Sequence, residues 1–183
     1  MKDYLTLLLI LIALTSNSQD YRITPNSVGN INLGDSMNIL TQVFPANSIQ
    51  ELPATKYGID GPGNGYLIVI NNSDTLMFVW SKDFDKTIGG IVCLSKAYRT
   101  YDGLGIGSTL GEIENKHPNV YQVPDYLDSS VEYVSVKYKS GNINFQVMSP
   151  RGTQVGNYEP NPNDEPSTQN FERKAKIKRM VIW

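Results

Sequence analysis

The chain has 183 residues, with 16 lysines and arginines against 18 acids, a net charge of −2 and a pI near 5.4. No global positive field would draw it to nucleic acid or to an anionic membrane, so neither is an expected partner. One cysteine and one histidine rule out an intrachain disulfide and leave too little for a structural zinc site or a Cys/His catalytic pair, so no cofactor is expected.

The first eighteen residues set the expected compartment. "MKDY" is a short charged start, "LTLLLILIAL" a ten-residue apolar run and "TSNS" a small polar end, which is the order of a secretory signal peptide. The run falls well short of the roughly 20 residues that a spanning helix needs, and nothing later in the chain is apolar for so long. Cleavage after Ser18 is expected to release a protein without an integral membrane segment, periplasmic or extracellular. No cysteine sits at the junction, so no lipid anchor is expected.

In the remaining 165 or so residues, enough for one ordinary domain or two small modules, the first clear element is "LGDSMNILTQVFP" (33–45). It reads as glycine, cap, short helix and stopping proline. "YLIVI" (66–70) and "TLMFVW" (75–80) then read as a hairpin about "NNSD", and "IGGIVCLS" (88–95) as a further strand in which Cys93 is a small buried hydrophobe. An additional strand is expected near "TKYGI" (55–59).

"YDGLGIGSTLGEIENKHPN" (101–119) opens the second half. Its glycines resemble a phosphate loop, but Ser108 stands where either a third glycine or a P-loop lysine is required, so both nucleotide motifs fail. Thr109 and Glu112 instead form a capping box, Leu110 and Ile113 give the helix a buried stripe, and Pro118 stops it. A strand near "NVYQV" (119–123) and the alternating pair "VEYVSVKYK" (131–139) and "INFQVMS" (143–149) follow. Residues 151–174, rich in proline, asparagine and charge, read as a mobile loop. "AKIKRMVIW" (175–183) is the last strand, its lysines 174, 176 and 178 on the solvent side.

The halves correspond. At a displacement of 73, Gly34 matches Gly107, Ser36 matches Thr109, Met37 matches Leu110, Leu40 matches Ile113 and Pro45 matches Pro118; at 89, Ile88, Ile91, Val92 and Leu94 match Ile177, Met180, Val181 and Trp183. The expected fold class is therefore α+β: two tandem modules, 19–97 and 98–183, each a short helix followed by a three- or four-stranded antiparallel sheet.

This pattern resembles the tandem-repeat fold of the secreted β-lactamase inhibitor proteins, whose single-module relatives include envelope lipoproteins that assist outer-membrane barrel assembly. "YDGLGIGSTLGEI" is also similar to a segment recurrent in uncharacterised exported bacterial proteins. The chain departs from the inhibitors in lacking disulfide pairs and from the lipoproteins in lacking an anchor cysteine. The resemblance implies non-enzymatic protein binding by an exported module.

The candidate contact surface comes from a difference between the hairpins. The second has one apolar and one wet face, whereas "YLIVI" and "TLMFVW" are apolar on both, which calls for cover on two sides. If a partner protein supplies part of that cover, Tyr66, Phe78 and Trp80 are its contacts; the sheet face or the 151–174 loop would then engage a protein in the envelope or outside the cell. Otherwise these residues are buried within the monomer. The acids Asp83 and Asp85, and Asp125 and Asp128, read as solvated turn carboxylates. The alternative function is a small exported hydrolase acting on a cell-envelope polymer through such a carboxylate pair.

Overall fold

Alternating β-branched and aromatic residues dictate most of the molecule. The computed structural model describes residues 20–59, 64–70, 74–81, 86–125, 131–148, 154–158 and 166–183. The expected leader at 1–18 and the acids Asp83, Asp85 and Asp128 lie outside the described residues.

Strands β1 (Ile23–Thr24), β2 (Ser27–Val28) and β3 (Ile31–Asn32) make a small antiparallel sheet that two-residue alternation could not announce. All the longer strands join one eight-stranded antiparallel sheet. They are β4 (Ile49–Pro53), β5 (Asn64–Ile70), β6 (Asp74–Ser81), β7 (Ile88–Cys93), β8 (Gln122–Pro124), β9 (Glu132–Tyr138), β10 (Gly141–Met148) and β11 (Lys176–Ile182), in the order β4-β5-β6-β7-β11-β10-β9-β8. The class is thus mixed, with few helical residues and mostly antiparallel sheet. The strands of the two halves do not stand as separate sheets: β7 and β11 pair through Cys93–Met180, Val92–Val181 and Ile91–Ile182. The strand expected at 55–59 lies earlier, at β4, and 54–57 form a 3-10 turn after Pro53.

Helices α1 (Ile39–Val43) and α2 (Leu110–Lys116) differ at their starts. Thr109 Oγ1 accepts the Glu112 N–H at 3.2 Å and Glu112 Oε2 accepts the Thr109 N–H at 2.6 Å, completing the expected capping box. In the first half the residue three after Ser36 is Ile39, which has no carboxylate to return. α1 accordingly begins after Asn38 without a side-chain cap.

Leu40, Leu110 and Ile113 press onto one face of the large sheet, meeting Ile68, Val79, Ile91, Val134, Val136, Ile143, Phe145, Met180 and Ile182 in one continuous core. A smaller cluster on the opposite face gathers Ala54, Phe78, Trp80, Val92 and Val181. Cys93, paired with both Met77 and Met180 and fully buried, belongs to the larger core; burial pushes its thiol up to about 12.

Backbone bonds recur between the halves at the displacements of 73 and 89. Gly34 and Gly107, both left-handed at φ 84° and 91°, turn the chain so that their N–H groups donate to Ile88 and Ile177 at 2.8 and 2.9 Å. Ile88 and Ile177 donate back to Asp35 and Ser108, each at 2.8 Å, and Met37 and Leu110 donate to Lys86 and Ala175 at 2.7 and 2.9 Å. Each half therefore ties the approach to its helix onto its own last strand.

The 151–174 segment, expected to be a mobile loop, is anchored where it is described. Val155 is buried, Gly156 bridges Phe171, and Thr168 exchanges two backbone bonds of 2.9 Å with Gln122. Lysines 174, 176 and 178 are exposed around buried Ala175 and Ile177.

Candidate functional site

The three aromatic candidates do not share a face. Tyr66 pairs with Val79 and packs, half-buried, on the helix side. Phe78 and Trp80 point to the other side and are 0% and 5% exposed. Tyr57 stacks on Phe78 with ring centroids 4.3 Å apart, and the Arg179 guanidinium lies 5.5 Å from the Tyr57 centroid. Trp80 lies across Gly90 and Phe78 across Gly65, so close that a side chain at either glycine would collide with the ring. The chain itself thus fills the apolar half of this face, through Tyr57, which lies in a 3-10 turn and not in the strand expected at 55–59.

Toward β9 and β10 the same face changes character. Ser135, Lys137 and Asn142 are exposed, and Tyr133, Asn144 and Arg179 are half-buried. Tyr133 is held by the Gln146 amide, whose Nε2 donates to the phenol oxygen at 3.3 Å. The result is a polar platform on regular strands, set beside a closed apolar half.

At the edge of the platform, β8 covers β9 only from Glu132 to Val134. Ahead of β8 the chain passes through Pro118 and left-handed Asn119 (φ 67°), and Val120 and Tyr121 have no ladder partner on β9. A groove of about 540 Å³ opens there, with Lys116, His117, Tyr121, Ser135 and Lys137 among its lining residues.

His117 belongs to a polar cluster at the end of α2. Its Nε2 lies 2.6 Å from Asp102 Oδ2. Burial raises the Asp102 carboxyl, but hydrogen bonds from Thr100 and His117 together with the charge of the ring outweigh it, holding the group below its usual value. An ionised carboxylate has no proton to give, so the ring nitrogen donates. Thr100 Oγ1 donates to Oδ1, Lys116 Nζ to the Asp102 carbonyl, and Tyr138 closes the cluster with its hydroxyl 3.4 Å from Oδ1 and its ring edge-on to His117. Burial first, then the Asp102 charge, raise the Tyr138 phenol. An aspartate–histidine pair needs a third member to become a nucleophilic site, and among the described residues no hydroxyl or thiol is hydrogen-bonded to His117. What the cluster does is clamp the 101–103 turn to the C-terminal end of α2.

A second carboxylate, unmarked by the sequence reading, is buried: Glu132, 1% exposed. It accepts from the Val155 and Gly156 N–H groups at 2.6 and 2.8 Å and from the Tyr158 hydroxyl at 2.7 Å. Burial and this carboxylate raise the Tyr158 phenol. The signal was present: Glu132 shares its phase along β9 with buried Val134, Val136 and Tyr138. Asp125, the described member of its acidic pair, donates its N–H to the Val131 carbonyl at 2.8 Å. Among the described residues no three His, Cys, Asp or Glu side chains are grouped to hold a metal ion, and no helix is long and apolar enough to cross a membrane.

No family model and no curated protein matches the chain. Among solved structures it is similar to the crystal structure of the uncharacterized protein yfeY from Escherichia coli, at a TM-score of 0.54 and 14% identity, covering 88% of this chain and 98% of that one. At that identity the likeness concerns the fold alone.

Proposed function

We propose that the chain is an exported, non-catalytic protein-binding or envelope accessory module, built as two fused α+β copies and presenting the open half of its sheet to another protein. The observation that carries this is the division of the outer face. Its apolar half is closed by Tyr57 and Arg179, whereas Ser135, Lys137 and Asn142 stand exposed on paired strands. Such a platform offers polar contacts at little ordering cost, because β9 and β10 pair over seven positions, from Glu132–Val147 to Tyr138–Gly141.

The two-copy reading is supported by register. The order β4-β5-β6-β7-β11-β10-β9-β8 reads the same from either end once each strand is exchanged for its counterpart. Val92 and Val181, equivalent at the displacement of 89, face each other where the halves meet. Export is supported by the charged start and apolar run of residues 1–18.

The test is capture of partners from envelope and culture-medium fractions of the source cells. The wild-type chain is compared with an Asn142→Arg/Asn144→Arg variant shown to melt like the parent. The expected result is a protein retained by the wild type and lost by the variant. Equal retention by both, or no protein retained, overturns the reading.

A further inference from the structure

We propose that the part of β9 beyond its pairing with β8, residues 136–138, which no described strand covers, accepts an extended acidic segment of a partner protein as an added antiparallel strand. The proposal rests on the protein-binding reading above and deepens it by naming the partner's chemistry and its mode of attachment.

The backbone fixes which groups are on offer. In an antiparallel ladder, residues alternate between those bonded to one neighbour and those bonded to the other. Gln122 exchanges both its backbone bonds with Thr168, on the side away from β9. The Gln122–Val134 pair is therefore not the bonded one, and Val123–Tyr133 is. The Asp125 N–H bond to Val131, two residues further along, keeps the same phase. Two and four residues after Tyr133, Ser135 and Lys137 also direct their backbone groups to the β8 side. β8 ends before it reaches Lys137, and among the described residues nothing bonds its N–H and C=O on that side.

The other half of the molecule shows what such an edge receives. There β4 pairs with β5 over five positions, from Pro53–Asn64 to Ile49–Ile68. Aligning the pair Pro53–Asn64 with Pro124–Glu132 sets Ile49 and Gln50 against Val120 and Tyr121. The first two residues complete the edge strand; the last two make no ladder pair with β9. The groove occupies the space that Ile49 and Gln50 fill in the first half, and the complement to an edge of this kind is an extended backbone.

Charge selects the sequence of that backbone. Lys116 and Lys137 line the groove beside His117, no acid is among its lining residues, and exposed Lys139 follows at the hairpin. At a rise of about 3.3 Å per residue, a strand laid along 136–138 passes Lys137 and continues toward Lys139, so acids at alternate positions would meet both. Exposed Tyr121, at 55%, lines the same groove. Lysines on an edge strand have a competing use, which is to repel any added strand.

The experiment separates these uses. The full chain is panned against a phage-displayed library of random peptides, and enriched peptides are titrated into the wild type and into Lys137→Glu/Lys139→Glu. The expected result is enrichment of extended peptides with aspartate or glutamate at alternate positions, slower hydrogen exchange at the Lys137 amide when they bind, and binding about tenfold weaker to the double variant. Absence of enrichment, enrichment of peptides without acids, or binding unchanged by the double variant overturns the proposal and leaves the lysines as a guard against edge pairing. A protein captured through Asn142 and Asn144 while the edge takes no peptide sinks this proposal alone; failure to capture any protein sinks the reading on which it rests.

Discussion

Asp102 shows how one side chain can hold two elements together. Its carboxylate gathers Thr100, His117 and Tyr138, while its carbonyl takes Lys116, so a turn and a helix end share one charge. The folded carboxyl titrates below its unfolded value, near 3.9, because hydrogen bonds from Thr100 and His117 outweigh the effect of burial. Its stabilisation is therefore complete above the unfolded pKa and is lost as pH falls through the folded one. Urea unfolding should find Asp102→Asn less stable than the parent at neutral pH by about 1–2 kcal/mol, with partial exposure allowed for. That difference should shrink as the pH is taken below about 4. A difference that stays constant into acid would assign the loss to packing.

At the scale of elements, Glu132 ties the 154–158 segment to β9. Three donors converge on that carboxylate, two of them backbone amides with no other use. Glu132→Gln keeps the shape but turns an amide N–H₂ toward donors, at a cost of about 1–3 kcal/mol. Hydrogen exchange at Val155 and Gly156 should accelerate while the β9–β10 ladder keeps its protection; unchanged exchange at both amides would show that Glu132 does not hold the segment. Sequence could not supply this anchor in full. The alternation that located β9 also placed Glu132 inward, yet its partners lie more than twenty residues downstream in a stretch whose prolines and asparagines read as loop. The capping box was legible because Thr109 and Glu112 are three residues apart. The groove was not, because it depends on where β8 stops pairing with β9.

For the whole molecule, the same contrast between local and distant information applies. Alternation placed β5, β6, β7, β9, β10 and β11 to within a few residues, but the pairing of β7 with β11 joins segments more than eighty residues apart and leaves no local mark. Phe78 and Trp80 illustrate the consequence: two-sided apolarity was legible, but the cover that Tyr57 provides was not. Because the larger core draws Met77 and Cys93 from one half and Met180 and Ile182 from the other, the halves should unfold together. Calorimetry should give a single transition with equal calorimetric and van't Hoff enthalpies. Two resolved transitions would show that the join is weaker than either half.

That join carries its own chemical clock. Cys93 lies against Met180 at the seam, and since the thiolate is the reacting species, a thiol with its pKa raised to about 12 stays silent while the seam is shut. Alkylation of this one natural cysteine would therefore time the parting of the two halves with no label introduced, and it would register an opening too brief to leave a trace in the average structure.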